Sequence, residues 1–378
     1  MLSATASLSI ITPATASGRC SRFEDVAAAH RDWQTFSSAH GVTLSDLLSA
    51  APPPPGSIIY LDPPAHERLR NLVSRAFTPR AIAALEPMIR QVVRATLDTV
   101  RGRSEFDVVA DFAAPFPVEV ISAMLGVPPD DRQAVRLRTD ALLHREANDP
   151  APTPAGIEAG RVQHQYFLAL VAEKRRNPGD DVITRLCEAE LPGAHGPQRL
   201  SDGEIASFAS LLGAAGSETV TKLIGNGVVL FHRWPAEWAK LVADPGRIPN
   251  AVEETLRYWA PSQYQGRFTT APATFHEVTI PAGVPTLLLT GAASRDERAY
   301  PDPDRFDIDR KQEIPLGFGY CIHSCLGAAL ARLESRIAFE ELRERFPRYR
   351  VDERGLRRVH MANVAGFSHV PVAVGGRG

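Results

Sequence analysis

The stretch that most limits how this chain can fold runs from Ser201 to His232. Ser201-Asp-Gly-Glu204 is a capping box, with the serine as N-cap and the glutamate reaching back to it. From there Ile205, Phe208, Leu211, Leu212, Ala215, Thr219 and Leu223 recur at three- and four-residue steps, and the pattern stops before Pro235. This predicts a helix of about 30 residues, long for a globular protein. Its middle, Gly213-Ala-Ala-Gly-Ser-Glu-Thr219, is chemically odd. Each glycine costs about 1 kcal/mol relative to alanine in a helix interior, and a buried Glu218 beside Thr219 is costly unless satisfied. One reading is a close helix crossing that needs small residues, with Glu218 paired to an arginine. The other is a helix that must come within van der Waals reach of a flat cofactor and loosen locally.

A second segment carries nucleophilic chemistry. Gly317-Phe-Gly-Tyr-Cys-Ile-His-Ser-Cys-Leu-Gly327 runs into an apolar helix at Ala328. Cys325 therefore stands at the mouth of a helix, where unpaired N–H groups and the positive end of the dipole favour a thiolate. Three readings remain open on this segment alone. Cys325 is a buried structural cysteine; or it joins Cys321 and His323 in a zinc site, which needs a fourth ligand that Cys20 and Cys187 do not offer by spacing; or it is the single thiolate ligand of a haem, with glycines letting the loop pass close to the porphyrin.

The chain has 378 residues and a net charge of −2, with acids and bases interspersed, which gives a nucleic-acid role no support. Four cysteines without framework spacing suit a reducing cytoplasm. The first 20 residues lack the basic start and apolar centre of a signal peptide, and no membrane span is expected. Helical patterns dominate from Pro79 to Phe231, and strand-like alternation follows at Val278–Ile280, Pro285–Leu289 and Val364–Val374. The expected fold class is mainly α with small β-sheets. Residues 1–21 are read as a divergent or disordered leader and residues 22–378 as one domain.

Phe318-Gly319-x-x-x-His323-x-Cys325-x-Gly327 resembles the haem-binding signature of the cytochrome P-450 family in its soluble bacterial form. Ala215-Gly216-x-Glu218-Thr219 is similar to that family's oxygen-activation motif, Glu254-x-x-Arg257 to its buried charge pair, and Asp62-Pro-Pro-x-His66-x-x-x-Arg70 to its propionate-gripping segment. The resemblance implies haem b between the long helix and the Cys325 loop, with Cys325 as axial ligand of the iron and Phe318, Gly327, Ala215 and Gly216 against the cofactor. It implies that His66, Arg70, Arg267 and His323 hold the propionates, that Thr219 binds and orders the oxygen ligand and water while Glu218 feeds protons, and that Glu254 and Arg257 act as a structural latch. Arg295 and Phe306 are expected to pack against that latch.

The implied activity is insertion of one oxygen atom of O₂ into an apolar or amphipathic small molecule. Electrons are expected from NAD(P)H through a ferredoxin and its reductase, docking near Arg70, Arg75 and Arg332, with the enzyme monomeric. By resemblance the substrate pocket draws on residues 44–59, Phe208, Leu212, Gln263, Tyr264 and Phe367. Phenol coupling, peroxide-driven oxidation, dealkylation and a non-catalytic haem-binding role are the alternatives. Two features depart from the family pattern: Cys321 stands where glycine is usual, and less chain than usual precedes Arg22, which affects the outer sheet and the channel rim.

Overall fold

The computed structural model describes residues 17–49, 56–147, 149–191 and 196–375. The principal helices are α1 (Phe23–Arg31), α2 (Ala65–Val73), α3 (Glu86–Asp98), α4 (Pro115–Leu125), α5 (Pro129–Leu143), α6 (Pro154–Arg176), α7 (Asp202–Arg233), α8 (Ile248–Trp259) and α9 (Ala328–Arg345). The long central helix predicted from periodicity is α7. Ser201 Oγ accepts from the Glu204 N–H, and the Glu204 carboxylate accepts from the Ser201 N–H at 2.8 Å, so both arms of the capping box form.

Every residue of α7 from Val220 to Phe231 is buried, because α4, α6, α8 and α9 pack around it. Small residues set the distance of approach. A Cβ on Gly216 would lie 3.0 Å from Ile121 Cγ1 of α4, and one on Gly227 would lie 2.5 Å from Phe339 Cζ of α9. The close-crossing reading is therefore realised at Gly216 inside the odd segment and again at Gly227 two turns beyond it, whereas a Cβ on Gly213 would meet only ordinary contacts at 3.8 Å. The segment Val108–Leu125 is long and apolar enough to cross a membrane, with a mean hydropathy of 1.6. Two-thirds of it is buried inside the protein, where α4 packs on α7.

Four strands form a sheet beside the helices: β1 (Gly18–Cys20), β2 (Phe36–Ser37), β3 (Gln265–Thr269) and β4 (Val284–Leu288), in the order β1-β4-β3-β2. β1 runs parallel to β4, and Arg267 on β3 stands opposite Thr286 of β4. Gly18 is required by its neighbours, since a Cβ there would meet Thr286 Oγ1 at 2.7 Å. The expected leader boundary at residue 21 is thus too late: β1 is a buried strand, while residues 1–16 lie outside the described residues. A three-stranded sheet joins Tyr349–Val351, Pro371–Val374 and Glu105–Asp107, tying the end of the chain to the loop that precedes α4.

Candidate functional site

Cys325 lies three residues before α9, and its N–H donates to Phe318 O at 2.7 Å, closing the glycine loop. Gly319 takes φ +69 and Cys321 takes φ +58, so the loop turns through two left-handed positions, one of them carrying a side chain. Cys325 has open surface although protein surrounds it on nearly every side, which marks it as part of the wall of an interior space. A Cβ on Gly327 would meet nothing within 4 Å on that side. Burial pushes the Cys325 thiol up from its usual pKa; the Gly327 N–H and the Arg70 and Arg332 guanidiniums pull the other way but do not win. The helix-mouth position that favours a thiolate is thus opposed by the burial of the thiol.

A second wall of open surface lies on α7. Ala215 is exposed and Gly216 and Thr219 are half-buried, although Ala214, Ser217, Glu218 and Val220 beside them are buried. The Thr219 hydroxyl donates to Ala215 O at 2.7 Å, an i−4 bond that occupies its proton and leaves its lone pairs available. Ser217 makes the same kind of bond to Gly213 O at 2.8 Å. Glu218 faces away into protein. Its carboxylate lies 2.8 Å from Lys222 Nζ, both side chains being buried, in an ion pair whose angles fall short of a hydrogen bond. The expected arginine partner is therefore a lysine one turn along the same helix. Asp140 on α5, which the sequence reading missed, adjoins this pair. Burial and the Glu218 charge raise its carboxyl to about 6 against the pull of Arg136 and Lys222.

Four basic side chains from three elements converge beside Cys325. His66 on α2 is 2% exposed and neither ring nitrogen has a partner; its ring centroid is 4.5 Å from that of His323. His323 Nε2 bonds Ser38 Oγ at 3.1 Å, and burial followed by the Arg267 charge drives its pKa down to about 2. Arg267 is buried and lowered to about 10, burial outweighing the attraction of Asp62. Arg70 is half-buried and its charge reaches Cys325. Asp62 spends its oxygens elsewhere, accepting from the Ser38 N–H at 3.0 Å and the Ser37 hydroxyl at 2.5 Å. Among the described residues, no carboxylate forms an ion pair with Arg70 or Arg267. Clustered cations and partnerless imidazole nitrogens around an interior space fit an anionic ligand, and the two carboxylates of haem suit them.

The Glu254–Arg257 pair is wholly buried and bidentate, at 2.8 Å on both arms. Arg257 also donates to Ser294 O, Pro303 O and Arg305 O, while Glu254 accepts from the Asp307 N–H and from Arg310. Arg310 was not singled out in the sequence, because no periodic pattern or motif surrounds it. Arg295 stacks 3.4 Å from the Tyr258 ring centroid and bonds Tyr258 O, and Phe306 packs on Tyr258, so both reach the latch through that tyrosine.

Other expected residues disperse. Phe208 and Phe367 are 1% and 2% exposed, so neither lines an open pocket, and Leu212 is also buried. Gln263 N–H donates to Asn363 O. Tyr264 accepts from the Leu44 N–H and donates to Ala362 O, where the 44–49 segment meets the C-terminal turn. Residues 50–55 of the expected pocket lie outside the described residues. Of the expected docking residues, Arg75 is exposed, Arg70 turns inward, and Arg332 pairs with Glu253 at 2.5 Å and stacks on Phe318.

Comparison with known proteins identifies the family and the fold. The family model described as Cytochrome P450 matches residues 248–354. Erythromycin C-12 hydroxylase of Saccharopolyspora erythraea is 41% identical over 360 residues, covering 94% of this chain and 88% of that protein. Cytochrome P450 130 of Mycobacterium tuberculosis is 39% identical over 338 residues, covering 88% and 82%. The open form of cytochrome P450 EryK from S. erythraea superposes with a TM-score of 0.88 at 39% identity, covering 97% and 92%. The fold and relatives define a haem-dependent monooxygenase of bacterial type. The chain belongs to the cytochrome P450 family.

Proposed function

We propose that Cys325 is the axial thiolate ligand of the haem and that the protein hydroxylates an apolar or amphipathic small molecule with O₂. Two electrons arrive one at a time from NAD(P)H through a ferredoxin and its reductase. The observation that carries the reading is the placement of Cys325 on the wall of an interior space, flanked by a cluster of basic groups, with no carboxylate among the described residues forming an ion pair with Arg70 or Arg267. Haem bound there supplies the redox chemistry that splits dioxygen. His66, Arg70, Arg267 and His323 hold its carboxylates, and Phe318, Gly327, Ala215 and Gly216 adjoin it. Cys325 would be held deprotonated by coordination to the iron, which would offset the effect of its burial.

The remaining work falls to α7. Thr219 presents hydroxyl lone pairs to the interior space while its proton is held by Ala215 O, so it orders water there and passes a proton by rotating. Glu218 sits one residue back in a buried pair with Lys222, and Asp140 adjoins it from α5 with a carboxyl that titrates near neutrality. Protons therefore reach Thr219 from Asp140 through Glu218, once Glu218 leaves Lys222. The similarity to erythromycin C-12 hydroxylase makes erythromycin-like molecules the first substrates to test.

Thr219→Ala tests the relay. With reconstituted electron donors and a substrate that turns over, the variant consumes NADPH at a comparable rate. Product per NADPH falls by about tenfold or more, as expected for loss of a proton-transfer group, and hydrogen peroxide makes up the difference. Unchanged coupling would remove Thr219 from the relay.

A further inference from the structure

His30 is a buried group that the reading above does not use. It lies in the last turn of α1 and is 4% exposed, with both ring nitrogens lacking a hydrogen bond of proper geometry. The Gln265 side chain lies near it, but that amide is engaged by Ser262 and Thr290. Its apolar surroundings on α1 (Val26, Ala27 and Ala29) give no reason for an imidazole, because a buried polar ring without partners is destabilising. α1 packs against the Cys321–His323 turn, and Arg31 covers the Tyr320 ring in the same place. The ring is close enough to Arg267 and His323 for their charges to act on one another. Three imidazoles and the Arg267 guanidinium thus gather at one corner. Guanidinium charge repels a metal cation there and attracts an anion.

We infer that His30 is a further cofactor-binding residue, supplying an N–H donor to a haem carboxylate alongside Arg267 and His323. The inference rests on the proposed haem site. Burial and the Arg267 charge keep His30 neutral in the protein alone, with a pKa of about 3, so one ring nitrogen carries a proton to donate.

Haem transfer to excess apomyoglobin tests this in the wild type, His30→Leu and His30→Gln. His30→Leu releases haem about tenfold faster, the scale of a lost hydrogen bond to a charged group, and His30→Gln, which keeps an N–H donor, restores most of the retention. The same comparison with iron protoporphyrin dimethyl ester, which lacks both carboxylates, gives equal rates for wild type and His30→Leu. Unchanged release from His30→Leu overturns the inference. So does equal loss in His30→Gln, or a leucine effect that persists with the ester, since each means that His30 only packs. A wild type without a thiolate-type spectrum contradicts the assignment of Cys325 instead. The transfer rates still report on carboxylate contacts whatever ligates the iron.

Discussion

Cys321 shows how one side chain can work against its own loop. At φ +58 it occupies a conformation that costs an L-residue roughly 1–2 kcal/mol and glycine almost nothing. Glycine loses more chain entropy on folding, by about 0.4–1 kcal/mol. Cys321→Gly is therefore expected to stabilise the protein by about 0.5–1 kcal/mol, seen as a higher denaturation midpoint, whereas Cys321→Ala, which keeps the Cβ, gives no gain. A midpoint that falls in the glycine variant would mean the thiol makes contacts that outweigh the backbone strain. The sequence marked this position as unusual, but the sign of φ came only from the structure. The same division holds for Cys325. Its place between a glycine loop and a helix was legible in the residue spacing, and the direction of its pKa was not, because burial depends on what the rest of the chain packs around it.

At the scale of elements, α7 was readable almost to the residue. Its cap and its apolar period are local signals, and nothing in the fold opposes them. What sits beside α7 was not readable, since α5 and α7 are joined by packing and not by sequence. Asp140 is the consequence. Its carboxyl is raised from 3.8 to about 6 by burial and by Glu218, so between those values the folded protein holds a proton that the unfolded chain has lost. Stability therefore falls as pH rises through this window, and the penalty is complete above about 6. Asp140→Asn removes the titration: the variant gains stability over the wild type at pH 7 and little at pH 4, in thermal or urea denaturation. An equal gain at both pH values would mean that Asp140 does not titrate there. The latch behaves differently. Glu254 and Arg257 could be read as a pair, but the carbonyls of Ser294, Pro303 and Arg305 that complete it come from a loop with no periodicity of its own. A buried pair of this kind resists removal of either partner, at a cost of about 3–5 kcal/mol.

For the whole molecule, the long helix, the Cys325 loop and the small sheets form one arrangement with basic groups on α2, β3 and the loop turned toward a shared interior. The mainly helical class was legible because it rests on local periodicity, and the turn of the glycine loop before Cys325 because it rests on a short motif. The substrate pocket was not: Phe208 and Phe367 are spaced like wall residues and are packed in the core instead. The parallel strand β1 was also hidden, since three residues carry no period and their partner is β4, far along the chain. The central claim is that all of this serves one thiolate-bound haem. Its most direct test is the carbon monoxide difference spectrum of the dithionite-reduced protein, recorded beside Cys325→Ser. A strongly red-shifted Soret band in the wild type that is lost in the variant is the predicted result. A band typical of histidine-ligated haem in the wild type, or a red-shifted band that survives in Cys325→Ser, would contradict it.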